Sequence, residues 1–230
     1  MPSFVIEPSC VASLEVVGSD ARFPVHRIYC IGRNYAEHAR EMGAEAVSRA
    51  QPVFFMKPAD AIVAGGGDVP YPPATSELHH EVEMVVALSR GGRDIARERV
   101  LDCVFGYGVG LDLTCRDLQT MAKAKRLPWD AAKGFDASAP VSALRAAAEI
   151  GHPQRARLSL VVNGVLRQQA DIAGMILPVD GIIAELSKLF ELQPGDLIFT
   201  GTPAGVGPLT RGDQFRAELE GIATLEGRIV

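Results

Sequence analysis

Aromatic residues make up only 6% of the 230-residue chain, and one tryptophan is the whole complement of indole. The apolar runs are strand-length, as in Val82–Leu88, and fall far short of the ~20 residues a membrane-spanning helix needs. Cysteine is scarce as well. Cys10, Cys30, Cys103 and Cys115 form no close pair and no C-x-x-C, so reduced thiols in a cytoplasmic protein are expected. Lys and Arg total 23 against 28 Asp and Glu, a net charge of −5 with no basic patch or stripe, which argues against nucleic acid as a partner. The opening MPSFVIEPSC has no basic stretch ahead of an apolar one, so no secretory signal is expected. Internal repeats and low-complexity linkers are missing too. What remains is an ordinary globular composition, 47% hydrophobic and 22% charged, with length enough for a substantial core.

Residues 1–25 read as a short N-terminal appendage holding an edge strand or two within Phe4–Val17, and residues 26–230 as a single α+β domain rich in strands. A short apolar strand, His26–Gly32, leads into a helix over Ala36–Val47, rich in Ala, Glu and Arg. Val53–Met56 reads as a short buried strand stopped by Lys57-Pro58, and the Gly- and Pro-rich stretch Gly65–Pro73 as loop or sheet edge. In Glu81–Leu88, Val82, Met84, Val86 and Leu88 share one face, and Glu81, Glu83, Val85 and Ala87 the other. The second face turns apolar after two acids, which predicts a strand buried on both sides with carboxylates at one end. Val104–Leu113 puts Phe105, Tyr107, Val109, Leu111 and Leu113 on one face and Gly106, Gly108 and Gly110 on the other, ending in Asp112. A glycine face admits close approach by another backbone or by a ligand. Thr114 with Asp117 reads as a capping start for a helix to about Lys125. Asn163-Gly164 predicts a hairpin, Gly181–Phe190 an amphipathic helix, Asp196–Thr200 a strand, and Phe215–Val230 a closing hairpin.

Three carboxylates, Glu81, Glu83 and Asp112, would repel one another on convergence unless a cation neutralised them. All-oxygen ligation suits Mg²⁺, Mn²⁺ or Ca²⁺. The alternative is an E-x-E on a solvated strand beside an unrelated acid. His38 and Glu41, spaced i, i+3 on a helix, can touch, either as a base oriented by a carboxylate or as a surface ion pair. His79 and His80 point to opposite faces of a strand and lack further ligands, which discounts zinc; either could support the neighbouring acids. Arg116, Gln119 and Lys123 form a polar stripe at helical spacing, and Lys133 stands in a loop; they fit an anionic substrate or a solvated face. The loop Gly201–Gly207 fits an anion cradle or a tight turn equally well.

Seven segments in order are similar to the fumarylacetoacetate hydrolase family, over nearly the whole chain from Arg27. They are Gly32-Arg33-Asn34-Tyr35, Phe55-Met56-Lys57-Pro58, His79-His80-Glu81-Val82-Glu83, Asp112-Leu113-Thr114-Cys115-Arg116-Asp117, Leu127-Pro128-Trp129, Lys133-Gly134-Phe135-Asp136 and Thr200-Gly201-Thr202-Pro203. The resemblance implies a mixed β-roll with few short helices, a homodimer, and Mg²⁺ or Mn²⁺ held by Glu81, Glu83 and Asp112. The small acylpyruvase-like branch implies a His38–Glu41 dyad on a lid helix. The implied substrate is a 2,4-dioxo acid, and the implied reaction is C–C hydrolysis, with fumarylpyruvate giving fumarate and pyruvate in aromatic catabolism. His38 would activate water, Lys133 and Gln119 would stabilise the oxyanion, and Thr202 would hold the pyruvyl carboxylate. Arg33, Lys57 or Arg116 would meet a second carboxylate. Decarboxylation or keto–enol tautomerisation of oxaloacetate on the same metal is the rival, and a metal-binding scaffold without turnover is a more distant one.

Overall fold

The computed structural model describes residues 3–41 and 52–230. Its central element is the strand Val82–Leu88, every residue of which is buried. Val82, Met84, Val86 and Leu88 enter the larger core beside Leu158, Leu160, Ala217, Ile182 and Leu186. Val85 and Ala87 turn the other way, into a second core with Leu14, Phe23, Ile28 and Phe199. The alternation in the sequence thus maps onto two different hydrophobic cores. Full burial of each large aliphatic side chain contributes about 1.5–3 kcal/mol relative to exposure.

Around that strand lies an eight-stranded sheet in the order Val53–Lys57, Ile28–Gly32, Leu197–Phe199, Val82–Leu88, Val104–Leu111, Ala139–Val141, Ile62–Ala64, with Arg145–Ala146 also pairing with Val104–Leu111. Leu197–Phe199 is parallel to Ile28–Gly32 and antiparallel to Val82–Leu88, so the sheet is mixed. A five-stranded sheet, Val165–Asp171, Arg157–Val162, Gln214–Leu219, Ala223–Ile229, Gly66–Val69, covers the larger core. Asn163 and Gly164, at φ 51° and 76°, make the expected two-residue turn between its first two strands. The helices are few and short; Val179–Leu189, near the expected place, buries Ile182, Ile183 and Leu186. This is the mixed β-roll of the α+β class. No described helix is long and apolar enough to cross a membrane.

Several local expectations change. Val53–Lys57 is the edge of its sheet, not a buried strand: Val53 and Met56 are each 37% exposed, and only Lys57 is buried. Thr114 and Asp117 do not form a capping box. The Thr114 hydroxyl donates to the Asp112 carbonyl, and the Asp117 carboxylate accepts from Thr75, Ser76 and the Leu118 N–H. The helix Arg116–Lys125 forms without it. Lys133 closes a one-turn helix, Asp130–Lys133, instead of lying in a loop. Of the predicted helix Ala36–Val47, Ala36–Glu41 is helical, and residues 42–47 lie outside the described ones. The hairpin of Ser13–Val16 with Ser19–Pro24 puts Leu14 and Phe23 into the second core, so that part of the N-terminal segment is built in and not appended.

The glycine face of Val104–Leu111 receives the chain's own backbone and side chains, not a ligand. A Cβ on Gly106 would stand 2.2 Å from the Arg145 carbonyl oxygen, and one on Gly110 would meet Phe199, Pro140 and Val85 at 2.9–3.0 Å. The closeness of the neighbouring strands therefore depends on hydrogen at these positions. Gly106→Ala is expected to lower stability by about 1–3 kcal/mol through overpacking, read as a lower urea midpoint at unchanged m.

Candidate metal centre and active site

Register brings the acids together. Val82–Leu88 and Val104–Leu111 run antiparallel with Glu83 opposite Gly110, and the Asp112 N–H extends the ladder to the Glu81 carbonyl at 2.8 Å. The start of one strand therefore meets the end of the next. Glu81, Glu83 and Asp112 are 5%, 1% and 1% exposed, with one oxygen of each within 4.8 Å of the others. From the opposite side, the chain leaving Leu197–Phe199 locks the same strand. Thr202 Oγ1 donates to the Val82 carbonyl at 2.9 Å, and the Gly201 N–H donates to Glu83 Oε2 at 2.7 Å.

Three cations meet these acids. Lys133 Nζ lies 2.8 Å from Glu81 Oε2 and 2.7 Å from Asp112 Oδ2. Arg116 pairs with Glu81 Oε1, and Lys57 Nζ lies 2.9 Å from Asp112 Oδ1. Burial alone would raise the Glu81 carboxyl, but Lys133 and Arg116 outweigh it and hold it well below the usual range. Glu83 goes the other way: burial, then Asp112 and Glu81, push it well above. Burial would lower the Lys133 ammonium, but Asp112 and Glu81 hold it above its ordinary value. Dense negative charge with one reluctant carboxylate is the setting in which a divalent cation displaces a proton.

The donor set fits such an ion. All three groups supply hard oxygen, as Mg²⁺ and Mn²⁺ prefer. Asp112 Oδ1 is buried and accepts no well-directed hydrogen bond despite the nearby Lys57. Glu81, Glu83 and Asp112 form a site compatible with a divalent cation.

Across the same cavity stands His38, on the helix Ala36–Glu41 and only 6% exposed. Its Nδ1 is 3.3 Å from Glu41 Oε2, and the Glu41 carboxylate also accepts the Gly205 N–H at 3.2–3.3 Å. The loop Gly201–Gly207 thus cradles anions, and they are the chain's own: Glu83 through Gly201 and Glu41 through Gly205. Gly205 has φ 94°, and a Cβ there would stand 2.2 Å from the Arg167 carbonyl. Burial lowers the His38 imidazole below its ordinary value, against the opposing pull of Glu81 and Glu41, which keeps it neutral near pH 7.

Of the residues singled out from sequence, Arg33, His38, Glu81, Glu83, Asp112, Arg116, Gln119, Lys123, Lys133 and Thr202 line one cavity. Glu41 stands behind His38. Lys57 does not line it: the side chain is fully buried behind Asp112, donating also to the Leu113 and Lys133 carbonyls, so it is unavailable to a substrate carboxylate. Arg116 lines the cavity but is committed to Glu81, Gln119 and His79. The Thr202 hydroxyl is likewise engaged, donating to Val82 and accepting from Gln168.

Sequence reasoning missed the role of Gln168, which joins His80, the Val82 N–H, Thr202 and Pro203. It also gave no role to Asn34, which clamps Leu177 and Thr200 beneath the loop leading to His38. Ile31, Gly32, Phe55 and Trp129 complete the walls. A polar residue such as Gln168 within a strand was the available signal, but its partners lie 34–88 residues away.

Glu83→Ala should reduce Mn²⁺ affinity, followed by calorimetry, by more than the 10–100-fold usual for residues that only support a ligand. Lys57→Met, which strands the Asp112 charge, should cost about 3–5 kcal/mol of stability in EDTA, and saturating Mn²⁺ should recover part of it.

The chain matches the family model "Fumarylacetoacetate (FAA) hydrolase C-terminal" over residues 27–230. It is 41% identical to human "Oxaloacetate tautomerase FAHD1, mitochondrial" over 202 residues, which is 88% of this chain and 90% of that protein. To "Oxaloacetate tautomerase YcgM" of Escherichia coli it is 43% identical over 86% of this chain and 90% of the relative. Among solved structures, the fumarylpyruvate hydrolase of Pseudomonas aeruginosa in complex with Mn²⁺ and pyruvate superposes with a TM-score of 0.95 at 45% identity, covering 99% of both chains. A matched family model over most of the sequence, the shared β-roll and the buried acidic triad agree, and the chain belongs to the fumarylacetoacetate hydrolase family.

Proposed function

We propose that the protein is a divalent-metal-dependent hydrolase of acylpyruvates, with fumarylpyruvate as its substrate and fumarate and pyruvate as products. The observation that carries the reading is the buried His38, oriented by Glu41, on the same cavity as Glu81, Glu83 and Asp112. A site for binding alone has no use for an oriented, neutral imidazole. The likeness to the Mn²⁺- and pyruvate-bound hydrolase supports it at full coverage.

A divalent cation held by the three carboxylates supplies Lewis-acid polarisation of the 2-oxo acid end of the substrate. His38, with Nδ1 turned to Glu41, takes a proton from water through the other ring nitrogen, and the resulting hydroxide attacks the C4 carbonyl. Lys133 Nζ and the Gln119 side-chain amide, whose oxygen already accepts from Arg116, donate to the oxyanion that forms. As the C4–O double bond re-forms, the C3–C4 bond breaks and its electron pair passes to pyruvate as the enolate. The proton on His38 then returns to C3. In this reading Thr202, whose hydroxyl stays on Val82 and Gln168, borders the pyruvyl carboxylate, and Arg33 lies on the cavity wall.

A second reading has its own support in the curated relatives named oxaloacetate tautomerase, among them those of human and Escherichia coli. There His38 would move a proton between C3 and the C2 oxygen without activating water.

Loss of the dioxo-acid chromophore, followed with fumarylpyruvate, acetylpyruvate and oxaloacetate side by side, separates the two. EDTA-sensitive release of pyruvate from fumarylpyruvate is the expected result. Turnover of oxaloacetate alone would move the protein to the tautomerase reading. His38→Ala should slow hydrolysis by about 10²–10⁴-fold. The imidazole must be neutral to act and is held below its usual value of about 6.5, so the acid limb of kcat/KM should fall below pH 6.5. Glu41→Gln removes an influence that raises it and should move that limb lower still.

A further inference from the structure

We propose that Lys123 receives the second carboxylate of a long dioxo acid and so sets the preference for dianionic acyl chains; this rests on the hydrolase reading above. Elimination begins the argument. Among the described residues, four Lys and Arg side chains line the cavity: Arg33, Arg116, Lys123 and Lys133. Lys133 bridges Glu81 and Asp112, and the Arg116 guanidinium is shared among Glu81, Gln119 and His79. Among the described residues, no carboxylate pairs with Lys123 or Arg33.

Helical spacing gives Lys123 its place. Arg116, Gln119 and Lys123 stand at i, i+3 and i+7 on the helix Arg116–Lys125 and form one stripe. Arg116 marks the metal-ligand end through Glu81. Lys123 lies seven residues on, roughly 10 Å along the axis. In extended backbone three bonds span about 3.3–3.6 Å, so the six C–C bonds of a seven-carbon dioxo acid reach about 7 Å, and the three of a four-carbon acid half that. The longer substrate, with its carboxylate oxygens and the flexible lysine stem, closes the gap, and the shorter one does not.

The surroundings fit an incoming anion. The Lys123 Nζ sits 5.3 Å from the centre of the Trp129 ring, which screens it from water on one side. Burial, with Arg116 and Arg33 nearby, lowers its ammonium to about 8, a charge that a carboxylate would satisfy. Arg33 shares the opening, but it is exposed, on a loop residue at φ 62°, whereas Lys123 is half-buried on a regular helix.

The test compares wild type, Lys123→Met, Lys123→Arg and Arg33→Met with Mg²⁺ present. Lys123→Met should raise KM for fumarylpyruvate about 10–100-fold and leave that for acetylpyruvate, which has no second carboxylate, within twofold. Lys123→Arg should restore most of the loss. Trp129 is the chain's one tryptophan, so fluorescence reports binding without turnover. Fumarate titrated into pyruvate-saturated protein should bind wild type more tightly than Lys123→Met by the same factor. Equal losses for both substrates, equal fumarate binding by wild type and Lys123→Met, or a dianion-specific loss only in Arg33→Met would overturn the assignment. Failure of the hydrolase reading shows separately, as absence of wild-type turnover; fumarylpyruvate binding to wild type and Lys123→Met then decides the role of Lys123.

Discussion

Three carboxylates buried within a few ångströms of one another would not stay folded unaided. At an effective dielectric near 20, each pair of like charges about 4 Å apart repels by roughly 4 kcal/mol. The protein answers with Lys57, Arg116 and Lys133, each ion-paired with one or two of the acids. These cations leave Glu83 with a backbone N–H from Gly201 as its named donor, and leave its charge unfavourable. The fold therefore holds the acids together while leaving a reason for a divalent ion to bind. Arg116 and Lys133 border the cavity as they do this, so two of the groups that balance the acids also line the site.

The rest of the architecture follows from that convergence. Paired antiparallel strands bring Glu81, Glu83 and Asp112 to one end of the sheet, and the glycines of Val104–Leu111 let the neighbouring strands close over it. One loop, Gly201–Gly207, then touches both halves of the chemistry, with Gly201 on the metal-side Glu83 and Gly205 on the base-side Glu41. Asn34 ties the loop leading to His38 to Thr200 at the start of that same segment. The base and the acids are thus positioned from shared backbone, which favours a fixed distance between them.

The sequence showed clearly whatever depends on period-two patterning. Both faces of Val82–Leu88, the glycine face beside Asp112 and the Asn163-Gly164 turn are local signals with local causes. Long-range partners were not legible. Lys57, in a short strand before a proline, looks like any other strand-ending cation, and only the fold places its ammonium behind Asp112. Thr114 and Asp117 have the spacing of a capping box, yet Thr75 and Ser76, forty residues upstream, claim the carboxylate. Gln168 gathers partners from two distant stretches of chain, and no spacing rule names them. The site residues nearest the reacting groups were found because carboxylates on an apolar strand, and a His three residues from a Glu, are chemically conspicuous. Those that hold them were not.

The central claim is that Glu81, Glu83 and Asp112 hold the ion on which a 2-oxo acid binds, facing His38. Crystals soaked with Mn²⁺ and pyruvate, with anomalous scattering collected at the manganese edge, test it most directly. The account predicts one manganese per chain among the three carboxylates, with the pyruvate carboxylate and keto oxygens turned to it. A manganese bound elsewhere, or pyruvate seated away from the ion, would contradict it.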